Sequence, residues 1–204
     1  MHDVSADNPK LTKQLVGKWE AWAKADGVLP WPWKPVYGRS AQSGNGPERR
    51  TSQLHFSLNQ GDNLIGQDAP SAAHRGLAIR VEISELAPDG VLLAQGGSAD
   101  GYSLYLKDGR LTFALRHGGK LESIRANDPL STSPAVVSAT LAKDGAVTIK
   151  SGDQVLATGS SAILTRQPKD GLQVGQDGGG AVGEYSAPFL FRGKLGPVTL
   201  DLQE

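Results

Sequence analysis

From about residue 52 onward, apolar residues recur at every second position. Leu77, Ile79, Val81 and Ile83 alternate with Ala78, Arg80, Glu82 and Ser84. Tyr102, Leu104 and Leu106 alternate with Ser103, Tyr105 and Lys107, and after Asp108-Gly109 the pattern resumes at Leu111, Phe113 and Leu115. A period of two with an Asp-Gly between two runs predicts a β-hairpin, because glycine accepts the positive φ of a tight turn and aspartate caps it. Val137, Ala139 and Leu141 lead through Lys143-Asp144-Gly145 to Val147 and Ile149, a second predicted hairpin. Gly152-Asp153 turns the chain again into Val155 and Leu156. Phe189, Phe191, Leu195, Val198, Leu200 and Leu202 supply the last apolar positions. About ten to twelve short strands at this spacing predict a β-sandwich or barrel. No helix-length pattern interrupts them, which argues against a parallel α/β fold.

The first forty residues follow a different period. Leu11, Leu15, Trp19 and Trp22 recur every three or four positions and would line one face of a helix over 9–25. Asn8 suits the N-cap and Pro9 the first helical turn. Pro30-Trp31-Pro32-Trp33-Lys34-Pro35 must be extended, since proline removes donors and biases the preceding residue away from helix. Residues 38–51 are small, polar and glycine-containing, as a linker or loop would be. The expected organisation is therefore 1–37, a helix with a Trp/Pro tail; 38–51, a linker; and 52–204, a sandwich.

Composition narrows the function classes. The 204 residues carry 21 Lys+Arg against 21 Asp+Glu. A net charge of zero argues against a general nucleic-acid binder or a polybasic membrane anchor. Cysteine is absent, which removes disulfides, thiolate-bound metals and thiol catalysis. The four histidines are scattered, and neither a nucleophile elbow nor a phosphate-binding loop is present. Of the 26 glycines, seven directly follow aspartate, a sign of many tight turns.

The residues left for chemistry are those of binding. Trp31, Trp33 and Tyr37 could stack on sugar faces or pack the tail onto a neighbouring domain. Tyr102 and Tyr105 are further stacking candidates on a strand. Asp100, Asp108, Asp144 and Asp177 fall in turns, where calcium can gather carboxylate and carbonyl oxygens, although turn aspartates commonly cap their own backbone. Gly175-Gln176-Asp177-Gly178-Gly179-Gly180 is either a loop that brings backbone close to a ligand or a plain connection. Leu11, Leu15, Trp19 and Trp22 form a face that needs a partner surface.

Two stretches resemble known families. Residues 2–33 resemble the closing segment of bacterial arylsulfatase catalytic domains through Asn8-Pro9, Trp19-Glu20, Trp22-Ala23 and Gly27-Val28-Leu29-Pro30. Residues 52–202 resemble a concanavalin A-like or laminin G-like jelly roll. The matching phrases are Gly90–Gly97, Gly101–Leu111, Gly171–Asp177 and Pro188–Leu195. The resemblance implies a mainly β fold, a jelly-roll sandwich preceded by one amphipathic α-helix. It implies the C-terminal region of a sulfatase, with Met1 inside the family phrase rather than at a natural domain start.

Such a region would be non-catalytic. The formylglycine motif is missing; its nearest approach, Ser186-Ala187-Pro188-Phe189-Leu190, has leucine where arginine must stand. The sandwich would pack on the sulfatase catalytic domain, or on a second copy of the chain, or present a sulfated polysaccharide. A free-standing lectin-like carbohydrate-binding module is the alternative, and a concanavalin-like glycosidase a weaker one. Periplasmic or secreted localisation would follow only from an exported parent.

Overall fold

A computed structural model describes residues 7–25 and 53–203, 23–25 by backbone alone. The chain divides into two units, Met1–Gly46 and Pro47–Glu204. In the first, helix α1 spans Pro9–Ala25, as the three-to-four spacing predicts. The Asn8 carbonyl opens it by accepting the Thr12 N–H at 2.9 Å and the Thr12 hydroxyl at 3.0 Å. Leu11, Leu15, Trp19 and Trp22 lie along it and are 51–56% exposed.

The second unit holds two six-stranded antiparallel sheets. One contains β1 (His55–Leu58), β3 (Gly76–Glu85), β8 (Ala135–Leu141), β9 (Ala146–Ser151), β10 (Gln154–Ser160) and β12 (Lys194–Gln203). Its order is β1-β12-β3-β8-β9-β10. The other contains β2 (Asn63–Leu64), β4 (Gly90–Gly96), β5 (Gly101–Lys107), β6 (Arg110–His117), β7 (Lys120–Arg125) and β11 (Leu172–Val174), in the order β2-β11-β4-β5-β6-β7. The fold is thus the mainly β sandwich that the period of two implies.

The hairpins form where turn chemistry demands. Lys107 pairs with Arg110 across a two-residue loop of Asp108 (φ 54°) and Gly109 (φ 74°). Positive φ at both central residues is the type I′ geometry that matches strand twist. The core lies between the sheets. Ile79, Val81, Leu104, Phe113, Val137, Ile149 and Leu200 are among its fully buried members. Tyr102 joins them, with its hydroxyl donating to Gln95 Oε1 at 2.7 Å while Gln95 Nε2 donates to the Pro70 carbonyl at 2.9 Å. That chain satisfies two polar side chains that burial would otherwise penalise. Desolvation raises the Tyr102 pKa and keeps the phenol neutral.

The outer face of the second sheet departs from simple alternation. Tyr105 and Ala114 sit on the predicted polar side, yet both are buried. The reason is a segment that crosses this face. Tyr185 and Phe189 pack over Val91, Tyr105 and Ala114 as a small second core. The segment is an Ω-loop, 177–189, whose ends meet: the Phe189 N–H donates to the Asp177 carbonyl at 3.0 Å. Lys107 Nζ anchors it through the Glu184 carbonyl at 2.6 Å, and Arg116 Nε through the Val182 carbonyl at 3.0 Å. Of the last apolar positions, Phe189 and Phe191 belong to this crossing and its exit, and β12 starts at Lys194.

Candidate functional site

The β4–β5 turn, the loop before β11 and the glycine-rich start of the Ω-loop meet at one rim of the sandwich. The first two enclose a pocket of about 330 Å³. Ser98, Asp100, Arg166, Gln167, Lys169 and Asp170 line it. Asp170 also lines an adjoining slot of about 50 Å³ with Gln173 and Asp177.

The loop that carries Arg166 and Lys169 is fixed by its neighbours. The Glu122 carboxylate accepts the Ala162 N–H at 2.8 Å and the Ser161 hydroxyl at 3.1 Å. The Leu164 carbonyl accepts the His74 N–H at 2.7 Å. Gln167 Nε2 donates to the Pro70 carbonyl at 2.6 Å, and Thr165 Oγ1 lies 3.4 Å from His117 Nε2. Pro168 is buried between the two cations. The loop is therefore held while its charged heads stay free. Arg166, Lys169 and Asp170 are exposed, and their side chains make no hydrogen bond or ion pair with any described residue. A pre-set pocket with unspent charges is suited to binding, because little ordering remains to be done when a ligand arrives.

The turn opposite is braced as well. Asp100 Oδ1 accepts the Gly118 N–H at 3.0 Å and lies 3.2 Å from His117 Nδ1. That histidine nitrogen is buried without a well-aligned hydrogen bond, so the contact is one of proximity. Glycines allow the close approach of the three loops. A Cβ on Gly97 would stand 2.5 Å from Asp170 Oδ2 and 3.2 Å from the Gly180 carbonyl.

Glu122 makes this brace sensitive to acid. The Lys120 ammonium bonded to it, then the Ala162 N–H, hold its pKa down to about 2. A depressed carboxylate contributes stability that is full above the ordinary value near 4.3 and is lost as pH falls toward 2. The expected result is a urea midpoint that drops between pH 4.5 and 2.5 in the parent, and by less in Glu122→Gln. Equal acid dependence in the two proteins would contradict the role.

The residues singled out from sequence are scattered. Tyr102 and Tyr105 are 0% and 1% exposed, so neither ring is offered to a sugar; both pack in cores instead. The four turn aspartates do not converge on a calcium ion. Asp100 binds the β6–β7 turn, Asp108 pairs with Arg125 at 3.0 Å, and Asp144 caps the Ala146 N–H at 3.0 Å. Asp177 is buried, accepting the Tyr185 hydroxyl at 2.7 Å. Among the described residues no group of three or more His, Asp or Glu could hold a metal. Of the set, only Asp100 reaches the pocket, while Asp177 reaches the slot. Leu11, Leu15, Trp19 and Trp22 lie on α1. Trp31, Trp33 and Tyr37 lie outside the described residues.

Arg166, Lys169 and Asp170 escaped sequence reasoning. Their one signal is three charges within five residues around Pro168, in a stretch without strand periodicity.

No family model matches the chain. Its fold recurs in solved structures. One is the CBM40 of an IT-sialidase from Ruminococcus gnavus, bound to α2,3-sialyllactose. The match has a TM-score of 0.52 and 15% identity over 73% of this chain and 89% of that one. Another is domains LG4-5 of the mouse laminin α1 chain. Here the TM-score is 0.55 and the identity 16%, over 74% of this chain and 42% of that one. At such identities the likeness concerns the fold: the sandwich is a jelly roll of the laminin G/CBM40 kind.

Proposed function

We propose that the sandwich is a non-catalytic carbohydrate-binding module, and that the rim pocket grips an anionic sugar. The observation that carries this reading is the trio of unspent charges on a fixed loop. Arg166 and Lys169 would take the sulfate or carboxylate through charge-assisted hydrogen bonds. Asp170 would accept from a neighbouring hydroxyl. The sialyllactose-bound CBM40 supports the reading at the level of a shared scaffold, since function belongs to the site and not to the fold.

The test is affinity electrophoresis of the full chain through gels carrying a sulfated galactan or its desulfated counterpart. Retardation by the sulfated polymer is expected. Losing one charge-assisted contact costs about 1.5–3 kcal/mol. Arg166→Ala with Lys169→Ala should therefore weaken binding at least tenfold at an unchanged unfolding midpoint, both residues being exposed. Equal retardation of parent and variant would remove the pocket from the account.

A second reading rests on α1. Four large apolar side chains along one helix, each about half exposed, need a covering surface. A sulfatase catalytic domain is the partner that the resemblance of residues 2–33 would supply, with residues 38–51 as the linker to the sandwich. Under that reading the module holds a sulfated polymer near a catalytic centre and raises its local concentration.

A further inference from the structure

We infer that the opposite rim holds a second, separate ligand site, one for the apolar face of a neutral sugar ring. The seven residues of β4 separate the two rims by roughly 20 Å. No single sugar could touch both, and this site stands whether or not the first binds an anion.

At this rim the β3–β4 turn, the β5–β6 turn and the second half of the Ω-loop border two adjoining hollows of about 650 and 550 Å³. Asp89 and Phe189 line both hollows. Phe189 is half-buried and rigidly set. Tyr185 stacks on one face, with centroids 4.8 Å apart and planes within 14°. Tyr185 is itself held edge-on by Tyr105 at 4.9 Å and by its hydroxyl bond to Asp177. Burial first, then that hydrogen bond, raise the Tyr185 pKa and keep the phenol neutral. Phe189 stays partly exposed where it borders the hollows. An aromatic face is the negative side of the ring quadrupole, and it attracts the polarised C–H groups on the flat side of a pyranose.

The charges around Phe189 are mostly committed within the protein. Asp108 is paired with Arg125, and Lys107 is spent on the Glu184 carbonyl. Asp89 Oδ1 accepts the Asp108 N–H at 2.8 Å. Glu184 and Arg192 remain, and their charges offset. Nothing there selects an anion or a cation. The Gln176 amide, the Ser186 hydroxyl and the Arg192 guanidinium border the same hollows, and their side chains make no hydrogen bond or ion pair with any described residue. They are the groups that would meet ring hydroxyls, in the usual pairing of an apolar platform with a few polar contacts.

The experiment is a titration of the 15N-labelled full chain with three neutral hexasaccharides: cellohexaose, mannohexaose and a β-1,4-galactohexaose. At least one should give saturable amide shifts centred on Asp89, Gln176 and residues 186–192. Phe189→Leu keeps an apolar plug over Val91 but removes the ring, and should weaken that binding at least tenfold. Arg192→Ala, at an exposed position, should weaken it several-fold and serves should the leucine variant lose its dispersed spectrum. Arg166→Ala should leave it unchanged. The inference is overturned if none of the three sugars moves those amides. It is equally overturned if the shifts fall only on 97–100 and 166–171, or if both Phe189→Leu and Arg192→Ala bind as the parent does.

Discussion

Gly96→Ala should lower the stability of the sandwich by about 3 kcal/mol or more. Two costs add. Gly96 sits at φ 93°, where a side chain costs roughly 1–2 kcal/mol. A Cβ there would also stand 2.2 Å from the Asp100 carbonyl and 2.7 Å from Gly101 Cα. Both are backbone atoms of the same tight turn, so neither can swing aside, and overpacking of this kind costs roughly 1–3 kcal/mol. Gly118→Ala is the matched control. Its φ of 57° is also positive, but nothing stands within 4 Å of the added carbon. It should cost only the backbone share. Urea unfolding of the three proteins measures the difference. Equal midpoints for the two variants would mean that the turn yields, and that crowding there contributes nothing.

The second large effect is expected at Asp177. Its carboxylate is 3% exposed and accepts from three donors: the Tyr185 hydroxyl at 2.7 Å, the Gly179 N–H at 3.3 Å and the Val182 N–H at 3.4 Å. Asp177→Ala would leave the half-buried Tyr185 phenol, the buried Val182 amide and the Gly179 amide without that acceptor. Hydrogen bonds to a charged group contribute roughly 1.5–3 kcal/mol, and stranded donors add desolvation costs of similar size. A loss of about 3 kcal/mol in urea unfolding is expected, with Tyr185 and Phe189 more accessible to solvent in hydrogen exchange or limited proteolysis of 178–188. Asp177→Asn keeps one acceptor for Tyr185 and should recover about half of the loss. If alanine unfolds at the parent's midpoint, the Ω-loop is held by its aromatic stack and not by the carboxylate.

These two sites also mark what could be read from the chain. The strands were legible because their apolar residues keep a strict period of two and their turns carry Asp-Gly. Ile79, Val81, Leu104 and Phe113 all point where alternation puts them. Tyr105 also points where alternation puts it, yet it is buried. It stands on the outward side, and the covering loop that buries it comes from eighty residues later and has no period at all. The same blindness applies to Asp177. A glycine-rich stretch reads alike whether it is free or clamped, since the clamp is a contact with Tyr185 rather than a local preference. The rim pocket was illegible for a related reason. Arg166 and Lys169 are ordinary surface cations by composition, and only the braces from Glu122, His117 and Pro70 set them in a fixed place.

Sheet order carries a kinetic consequence. β12 lies between β1 and β3, so His55 pairs with Asp201 across 146 positions of chain. The first sheet cannot be closed by any nascent segment that lacks the last strand. Loop-closure entropy must be met before those pairings return energy, which places such folds among slow, non-local folders. During synthesis, β3 and β8 could pair early, but the β3 edge opposite β8 would stay open until residues 194–203 left the ribosome. For that interval a row of backbone donors and acceptors on β3 is available to any passing strand, and a chaperone or rapid completion of synthesis is what would keep it from pairing wrongly.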